Sequence, residues 1–391
     1  MDMETSRRNL LAGMLAAPLA ACAARSGLGG TMASSIVDPG PGIDAIARRG
    51  GRRFGSAVSW KAAGTGMSVT NPAYAAILRR ECGLIVPENE MKWQTLRPSA
   101  DQFDFAAMDA IAEWARGNAL ELRGHTLLWH RPQWFPDWLN TYDFGATPVR
   151  RAERLLLDHI RVVTNRYRGQ ITSYDVVNEA IDHDRRAPIE TSLSRAMGSP
   201  EAVIDFAFHA ARAELPKAEL VYNDYMSWEP AHEGHCVDVL RLLEGMKKRG
   251  VPCDALGIQS HIEMFKVDLA SGVGVYDEAG WRRFLDEVTG MGYRLLITEF
   301  DVKDSALPAD LAMRDRKVAD YARRYFDLML DYDAHLGDIL AWGMVDAHNW
   351  LQYFDPAKRS DGLEVRGTPY DSNYAAKALR EAIAGSLLAA G

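Results

Sequence analysis

Cysteine is scarce in this chain, which contains four cysteines among its 391 residues. Cys22 lies near the amino terminus, and Cys82, Cys236 and Cys253 lie in the body of the chain. An odd number of thiols after Cys22 argues against a fold that depends on a framework of disulfides. Two alternatives remain open at this point: Cys236 pairs with Cys253, or all three are buried thiols.

Dense runs of lysine and arginine are also missing. The chain has 45 basic and 53 acidic residues, which gives a formal net charge of −8. Binding of a polyanion requires concentrated positive charge, so we expect no nucleic-acid partner. A neutral polymer such as a polysaccharide would not be repelled by this charge.

Several signature motifs of other enzyme classes are absent. No glycine-rich phosphate loop follows an early strand, which argues against an open, doubly wound sheet that binds a nucleotide. No Gly-x-Ser-x-Gly segment is present, which argues against a serine nucleophile on a strand-to-helix turn. His125 and His130 are five residues apart and share neither a helix face nor a strand face. We therefore expect neither a metal nor an organic cofactor.

The amino-terminal segment has no apolar run long enough to span a bilayer, which takes about 20 residues. Arg7 and Arg8 precede a shorter apolar stretch, residues 10–21, in a pattern that resembles a twin-arginine export signal. The end of this stretch, Leu19 to Cys22, resembles a lipobox, so Cys22 is either lipidated or lost by ordinary cleavage. We expect residues 1–40 to be a signal peptide and tether. The protein would then be periplasmic, secreted or anchored to the membrane only through this lipid.

From residue 54 onward, short apolar runs alternate with longer amphipathic segments. The predicted strands are 54–59, 84–88, 121–128, 171–178, 219–224, 255–260, 294–300 and 338–345. The predicted helices are 72–82, 104–118, 150–168, 200–214, 232–249, 278–290, 310–333 and 373–388. Eight such units indicate a closed (β/α)₈ barrel. We expect one barrel domain over residues 41–391.

Polar and aromatic side chains collect where the predicted strands end, which is where barrel enzymes place their chemistry. Glu179 and Glu299 stand out because each follows a strongly apolar strand, the fourth and the seventh. The fold would place these strands across the barrel mouth from each other. Two facing carboxyls among Trp, Asn, Gln and His side chains are typical of glycoside cleavage, in which one protonates the leaving oxygen and the other attacks the sugar.

Five segments resemble glycoside hydrolase family 10, the xylanases of the (β/α)₈ glycosidases. They run in the family's order and read PENEMKW (87–93), RGHTLLWH (123–130), DVVNEA (175–180), GIQSH (257–261) and TEFDV (298–302). The resemblance extends from about residue 45 to about residue 385. It implies a retaining endo-hydrolase that acts on xylan or xylo-oligosaccharides, with Glu179 as acid/base and Glu299 as nucleophile.

The resemblance also implies roles for the surrounding residues. Asn178 would bond the sugar 2-hydroxyl, and His261 would keep Glu299 ionised, while the charge of Glu299 and burial would raise the pKa of Glu179. The other implied substrate contacts are Glu88, Asn89, Lys92, His125 and Gln259, with Trp129, Trp342 and Trp350 as aromatic walls. The implied supporting residues behind them are Asp301, His130 and Tyr225.

Some positions depart from the family's usual pattern. Met226 and Tyr174 replace residues that are commonly Asn and Trp, and the loop over residues 131–143 is not the common version. These departures concern subsite detail and not the carboxyls. A related β-1,4-glucanase or mixed-specificity glycanase is the alternative, followed by a non-catalytic lipoprotein that binds oligosaccharides. We expect the protein to be a monomer.

Overall fold

A computed structural model describes residues 40–268 and 273–391. The predicted signal peptide, the tether up to residue 39 and Cys22 lie outside the described residues. Within them, no helix is long and apolar enough to cross a bilayer.

Short, buried strands form the centre of the molecule. They are β1 (Phe54–Val58), β2 (Leu84–Pro87), β3 (Glu121–Gly124), β4 (Leu128–Trp129), β5 (Ile171–Asn178), β6 (Ile181–Asp182), β7 (Ala187–Pro188), β8 (Glu219–Asp224), β9 (Ala255–Ile258), β10 (His261–Glu263), β11 (Arg294–Lys303) and β12 (Leu336–Ala341). Eight of them pair in parallel in the order β1, β2, β3, β5, β8, β9, β11 and β12, and β12 returns to β1. This closure confirms the predicted eight-stranded barrel.

Helices connect the strands. They are α1 (Ile43–Ala47), α2 (Pro72–Glu81), α3 (Trp93–Leu96), α4 (Ala106–Gly117), α5 (Asp137–Asn140), α6 (Pro148–Arg166), α7 (Ser192–Met197), α8 (Pro200–Glu214), α9 (Glu233–Lys248), α10 (Glu278–Gly290), α11 (Leu311–Leu330) and α12 (Ala378–Ala390). Single 3₁₀ turns occupy Arg48–Gly50, Pro132–Trp134, Pro230–His232, Asp346–His348, Trp350–Gln352 and Asp355–Ala357.

The ends and faces of these helices follow from local sequence. In α2, the Asn71 side chain accepts the N–H of Ala73 at 3.2 Å, and Pro72 occupies the first turn, where no helical N–H is needed. In α6, Leu156, Ile160 and Val163 recur at helical spacing and are fully buried against the barrel. The apolar periodicity therefore fixes which side of each helix faces the sheet.

The third predicted strand is wrong in its extent. It was expected over residues 121–128, but β3 ends at Gly124 and β4 begins at Leu128. The pairing of β3 with β5 shifts register between Leu122 and Gly124, so the chain leaves the sheet and returns to β5 further along. The residues between, including His125, are thereby turned out of the regular strand at the barrel mouth.

The last predicted helix also begins later than expected, at Ala378 and not near residue 373. The Asp371 carboxylate accepts the N–H groups of Asn373 and Ala375, each at 2.9 Å, and holds this segment in a turn. Side-chain capping of a turn by aspartate competes with a helix at the same residues.

The three cysteines of the described residues are free thiols. Cys82 and Cys236 are buried and Cys253 is partly buried, so the disulfide between Cys236 and Cys253 is not formed. Burial raises the pKa of Cys236 to about 12, which keeps this thiol protonated and unreactive at neutral pH.

Gly124 is required by packing where β3 ends. A Cβ atom at this position would lie 2.4 Å from Cδ1 of Tyr174, which is fully buried. We expect Gly124→Ala to lower the free energy of unfolding by about 1–3 kcal/mol, the usual effect of overpacking. Gly117→Ala is the matched control, because a Cβ there meets nothing within 4 Å. Denaturant unfolding measures both, and a Gly124→Ala protein as stable as the control would contradict this account.

His130 makes the stability of the fold depend on pH. It is fully buried, its Nε2 donates to the carbonyl of Ile189 at 3.0 Å, and burial lowers its pKa to about 4. The unfolded chain takes up this proton near pH 6.5 and the folded chain does not. Stability is therefore full above pH 6.5 and falls by up to about 3 kcal/mol as the pH drops toward 4.

We expect His130→Gln to reduce this acid-induced loss, because glutamine can donate to Ile189 without taking up a proton. The measurement is the difference in unfolding free energy between pH 7.5 and pH 4.5 for each protein. His209→Gln, at an exposed position of α8, is the control. An unchanged difference in His130→Gln would show that His130 does not contribute.

Candidate active site

Two glutamates and three amides meet at the carboxyl ends of the barrel strands. Asn178 ends β5 and Glu179 follows it, Asn223 lies in β8, Gln259 follows β9 and Glu299 lies in β11. These strands are neighbours in the closed sheet, so their ends share one rim. Glu179 has a positive φ of 49°, which turns its side chain away from the path of the strand.

Glu299 is held as a carboxylate. It is 5 % exposed, its Oε1 accepts from Nδ2 of Asn223 at 2.7 Å, and its Oε2 lies 3.4 Å from Nε2 of His261. Burial alone would raise the pKa of Glu299, but the hydrogen bond and charge of His261 and the charge of His125 lower it below its usual value. Glu299 is therefore ionised at neutral pH.

His261 owes its positive charge to a second carboxylate. Its Nδ1 contacts Oδ1 of Asp301 at 2.9 Å, and Oδ2 of Asp301 accepts from the indole of Trp350 at 2.6 Å. Burial would lower the pKa of His261, but Asp301 and Glu299 raise it to about 9. The imidazolium thus lies between two carboxylates, oriented by Asp301 and directed at Glu299.

Glu179 has different surroundings. Its Oε1 accepts from Nε2 of Gln259 at 2.9 Å, and its Oε2 accepts from Nε1 of Trp129 at 3.1 Å and lies 3.3 Å from Nε of Arg131. Burial raises the pKa of Glu179, while Arg131 and Gln259 oppose the rise, and the net direction is upward. The two glutamates therefore differ in the direction in which the protein shifts their acidity.

A chain of side-chain amides connects the two carboxyls. The Nδ2 group of Asn223 donates to Oε1 of Glu299 and, at 2.8 Å, to Oδ1 of Asn178. The same oxygen of Asn178 is 3.5 Å from Nε2 of Gln259, which donates to Glu179. The side-chain oxygen of Asn223, Oδ1, in turn accepts from Thr298 Oγ1 at 2.6 Å. The relative positions of the carboxyls are therefore set by buried, fixed amides.

Glu88, Asn89 and Lys92 follow β2 on the same rim. The ammonium of Lys92 donates to Oδ1 of Asn89 at 3.0 Å and lies 4.5 Å from the ring centre of Trp129. Burial lowers the pKa of Lys92, opposed by the charges of Glu299, Glu88 and others. Burial also shifts the pKa of Glu88, in this case upward, because the charged form of a carboxyl is the anion. These groups present an ammonium, a carboxyl and an amide to whatever occupies this side of the mouth.

His125 and Trp342 form another wall. Nδ1 of His125 contacts Asp175 at 2.9 Å, and Asp175 also receives two hydrogen bonds from Arg123, at 2.5 and 2.6 Å. The ring of Trp342 meets that of His125 edge to face at 5.2 Å. The buried pair of Arg123 and Asp175 fixes the orientation of His125 from below.

Trp350 and Trp342 are linked by the side chain of Asn349. Asn349, the residue before Trp350, donates to the carbonyl of Trp342 at 2.7 Å. Trp350 also packs against His261, with ring centres 4.8 Å apart. The Asn349 side chain thus has a structural role in joining the two tryptophans.

The structure does not bring every predicted residue to the carboxyls. His130 bonds the hairpin of β6 and β7 through Ile189, and Tyr225 stacks on His235 with ring centres 4.2 Å apart. Tyr225 reaches Glu179 indirectly, because its hydroxyl accepts from Arg131 at 3.1 Å. Trp129 contacts Glu179 directly, and its ring stacks on Trp134 at 4.4 Å.

Two residues in contact with the glutamates are absent from the sequence-based site. Asn223 is at the end of a predicted strand, so the strand-end rule could have included it. Arg131 lies in a loop whose sequence departs from the family's usual version, and no spacing rule connects it with Glu179. In the described part of the chain, no group of three or more His, Cys, Asp or Glu side chains is arranged to hold a metal ion.

Comparison with known proteins identifies the family of the chain. The family description "Glycosyl hydrolase family 10" matches residues 42–386. The chain is 29 % identical to endo-1,4-beta-xylanase B of Thermotoga neapolitana over 281 residues, 72 % of this chain and 75 % of that protein. It is 31 % identical to endo-1,4-beta-xylanase A of Halalkalibacterium halodurans over 300 residues, 71 % of each chain.

Solved structures agree in fold. Native xylanase 10B from Thermotoga maritima superposes with a TM-score of 0.74 at 28 % identity, over 88 % of this chain and 98 % of that one. Xylanase 10B from Thermotoga petrophila in complex with xylobiose gives a TM-score of 0.73 at 27 % identity, over 88 % and 97 %. The chain belongs to glycosyl hydrolase family 10.

Proposed function

We propose that this protein is an endo-1,4-β-xylanase that cleaves xylan with retention of anomeric configuration, using Glu299 as nucleophile and Glu179 as acid/base. The observation that carries the proposal is the contrast between the two linked glutamates. One is held ionised by an imidazolium and an amide, and the other has a raised pKa. The xylanase names of the relatives, and the xylobiose bound to one similar structure, support xylan as substrate.

In the first half of the reaction, Glu299 attacks the anomeric carbon while the bond to the leaving oxygen breaks and Glu179 gives its proton to that oxygen. In the second half, a water gives its proton to Glu179, its oxygen attacks the same carbon, and the ester bond to Glu299 breaks. When Glu299 is esterified its charge is gone, which removes one of the influences that raise the pKa of Glu179. The same residue can then act as a base.

The other side chains of the rim fit the handling of a sugar. Asn178, bonded to Asn223 and close to Gln259, is placed next to Glu179 where a sugar 2-hydroxyl would need a partner. Lys92, Asn89 and Glu88 offer hydrogen bonds to further hydroxyls, and Trp342 and Trp350 offer flat apolar surfaces. His125 and Gln259 complete the polar lining, with Asp301 behind His261.

Removal of each carboxyl tests the assignment. We expect Glu299→Ala to lower the release of reducing sugar from xylan by about 10⁴-fold or more, because no covalent step remains. We expect Glu179→Ala to lose about 10²–10⁴-fold on xylan but much less in the first step with a dinitrophenyl xylobioside, whose leaving group needs no proton. Azide should then speed the second step of Glu179→Ala and give a β-xylosyl azide.

Glu113→Ala, at an exposed position of α4, is the control and should keep wild-type activity. The anomer released first from a xylo-oligosaccharide is followed by NMR. Release of the α-anomer, or full activity in Glu299→Ala, would contradict the retaining mechanism with this nucleophile.

Substrate choice is tested separately by comparing aryl xylobioside with aryl cellobioside, whose sugars carry an additional hydroxymethyl group. The space beside Glu88, Asn89, Lys92 and Trp342 decides whether that group fits. Lys92 and Trp342 are each 5 % exposed, so their side chains have little freedom to move aside. We expect a higher kcat/KM for the xylobioside. A higher value for the cellobioside would favour a β-1,4-glucanase, and binding without turnover of either would favour an oligosaccharide-binding protein.

We propose further that residues 1–40 direct export, on the basis of Arg7, Arg8 and the apolar stretch that follows. The lipobox-like residues before Cys22 support lipidation of that cysteine. Mass measurement of the mature amino-terminal peptide tests this, since a lipid should be present on Cys22 and absent in Cys22→Ala. A cytoplasmic protein with an intact amino terminus would contradict export.

A further inference from the structure

Arg131 contacts Glu179 from a loop that departs from the usual family sequence. Its Nε lies 3.3 Å from Oε2 of Glu179 and also 3.3 Å from the carbonyl oxygen of the same residue. Its terminal nitrogen donates to the carbonyl of Ile181 and to the hydroxyl of Tyr225, both at 3.1 Å. The guanidinium is thus fixed at several points and directed at the glutamate.

The carboxyl already has two neutral partners that could hold its position. Gln259 donates to Oε1 and Trp129 donates to Oε2. A neutral donor orients both charge states of a carboxyl, whereas a cation interacts more strongly with the ionised state. The Arg131 side chain is 20 % exposed and that of Glu179 is 15 % exposed, so solvent reduces this interaction without removing it.

We propose that Arg131 is a positioning residue that supports Glu179 more strongly in the acid half of the reaction, in which the Glu179 carboxylate is formed, than in the base half, in which that carboxylate takes up a proton. This inference rests on the proposed roles of Glu179 and Glu299. Glu179 becomes a carboxylate as it gives its proton to the leaving oxygen in the first half. A fixed guanidinium stabilises the carboxylate that forms, at the cost of weakening the same group as a base in the second half.

Several other charged or titratable groups act on Glu179. The charges of Asp224 and Glu299 raise its pKa, and Arg131 is the first of the influences that lower it after burial has raised it. Lys92 also interacts with Glu179, as does Tyr225. The groups facing Glu179 from the surrounding elements are therefore Lys92, Arg131, Asp224, Tyr225 and Glu299. Removal of Arg131 leaves the neighbours that oppose ionisation in place.

The test compares the two halves of the reaction in Arg131→Met, which keeps an apolar stem and removes the charged guanidinium. With dinitrophenyl xylobioside the second half limits kcat, and we expect little loss, because removal of a cation does not weaken Glu179 as a base. With phenyl xylobioside, kcat/KM requires protonated Glu179, and we expect its plateau to fall about threefold to tenfold, the effect of removing one partly screened ion pair. We expect its alkaline limb to move to higher pH, since loss of the cation raises the pKa of Glu179.

Two variants separate charge from packing. Arg131→Lys keeps a cation and should leave the alkaline limb closer to wild type than Arg131→Met does. Tyr225→Phe removes the hydroxyl that Arg131 bonds but keeps the guanidinium, and should leave the limb in place. Equal losses in both halves with an unmoved limb in Arg131→Met would overturn the proposal and leave Arg131 a structural residue. Arg131→Gln replaces Arg131→Met if circular dichroism shows that the latter does not fold.

A titration that does not depend on turnover distinguishes this inference from the proposed function. The carboxyl of Glu179 is followed by NMR in protein labelled with ¹³C-glutamate, and is assigned by its loss in Glu179→Gln. We expect its midpoint to lie higher in Arg131→Met than in wild type. An unmoved midpoint overturns the role of Arg131 even if xylan is cleaved. If the midpoint is raised in Arg131→Met but the wild-type protein cleaves no xyloside, the proposed function is rejected and the role of the Arg131 contact is kept.

Discussion

The buried negative charge of Glu299 is the constraint on which the barrel mouth depends. A carboxylate this deeply buried is destabilising by several kcal/mol unless it is paired and hydrogen-bonded. His261 supplies the charge, Asn223 supplies a hydrogen bond, and Asp301 keeps the imidazole protonated. Each partner comes from a different part of β8 to β11, so the compensation exists only when the barrel has closed. Closure of the barrel and stabilisation of the Glu299 carboxylate are in this sense the same event.

The pKa of Glu179 is shifted in the opposite direction to that of Glu299, because the closest partners of Glu179 lack charge. The partners that contact both of its oxygens, Gln259 and Trp129, are neutral, and the nearest cation also serves Tyr225 and a backbone carbonyl. Burial therefore outweighs the favourable contacts at Glu179, whereas an imidazolium outweighs burial at Glu299. One rim of a single barrel can therefore shift the pKa values of two carboxyls in opposite directions, because different residues lie beside each of them.

The sequence was sufficient to predict the order of the strands along the chain and the polar residues near their ends. The reason is that hydrophobic periodicity and the polarity of strand ends are local signals. It was not sufficient for the break between Gly124 and Leu128, which depends on a register shift against β5 and on the ring of Tyr174. The contact of Arg131 with Glu179 could not be predicted for the same reason. The two residues are 48 positions apart in sequence and meet only through the pairing of β4 with β5. Asn223 could have been predicted as a site residue, because it lies in the same strand-end pattern as Asn178.

The backbone at the rim departs from regular strand geometry next to the site. Glu179 and Ser260 both have positive φ, of 49° and 61°, in a region that is unfavourable for residues other than glycine by about 1–3 kcal/mol. Ser260 lies between Gln259 and His261, so the two unfavourable positions belong to the segments that carry Glu179, its amide donor and the imidazolium. Each segment is nevertheless fixed by the sheet, since Glu179 N–H bonds Asn223, Gln259 N–H bonds Asp224 and Glu299 N–H bonds Gln259, at 2.9–3.0 Å. The turns that direct these side chains into the mouth are thus stabilised by the parallel ladder beneath them, so the fold can hold strained backbone at this end of the barrel.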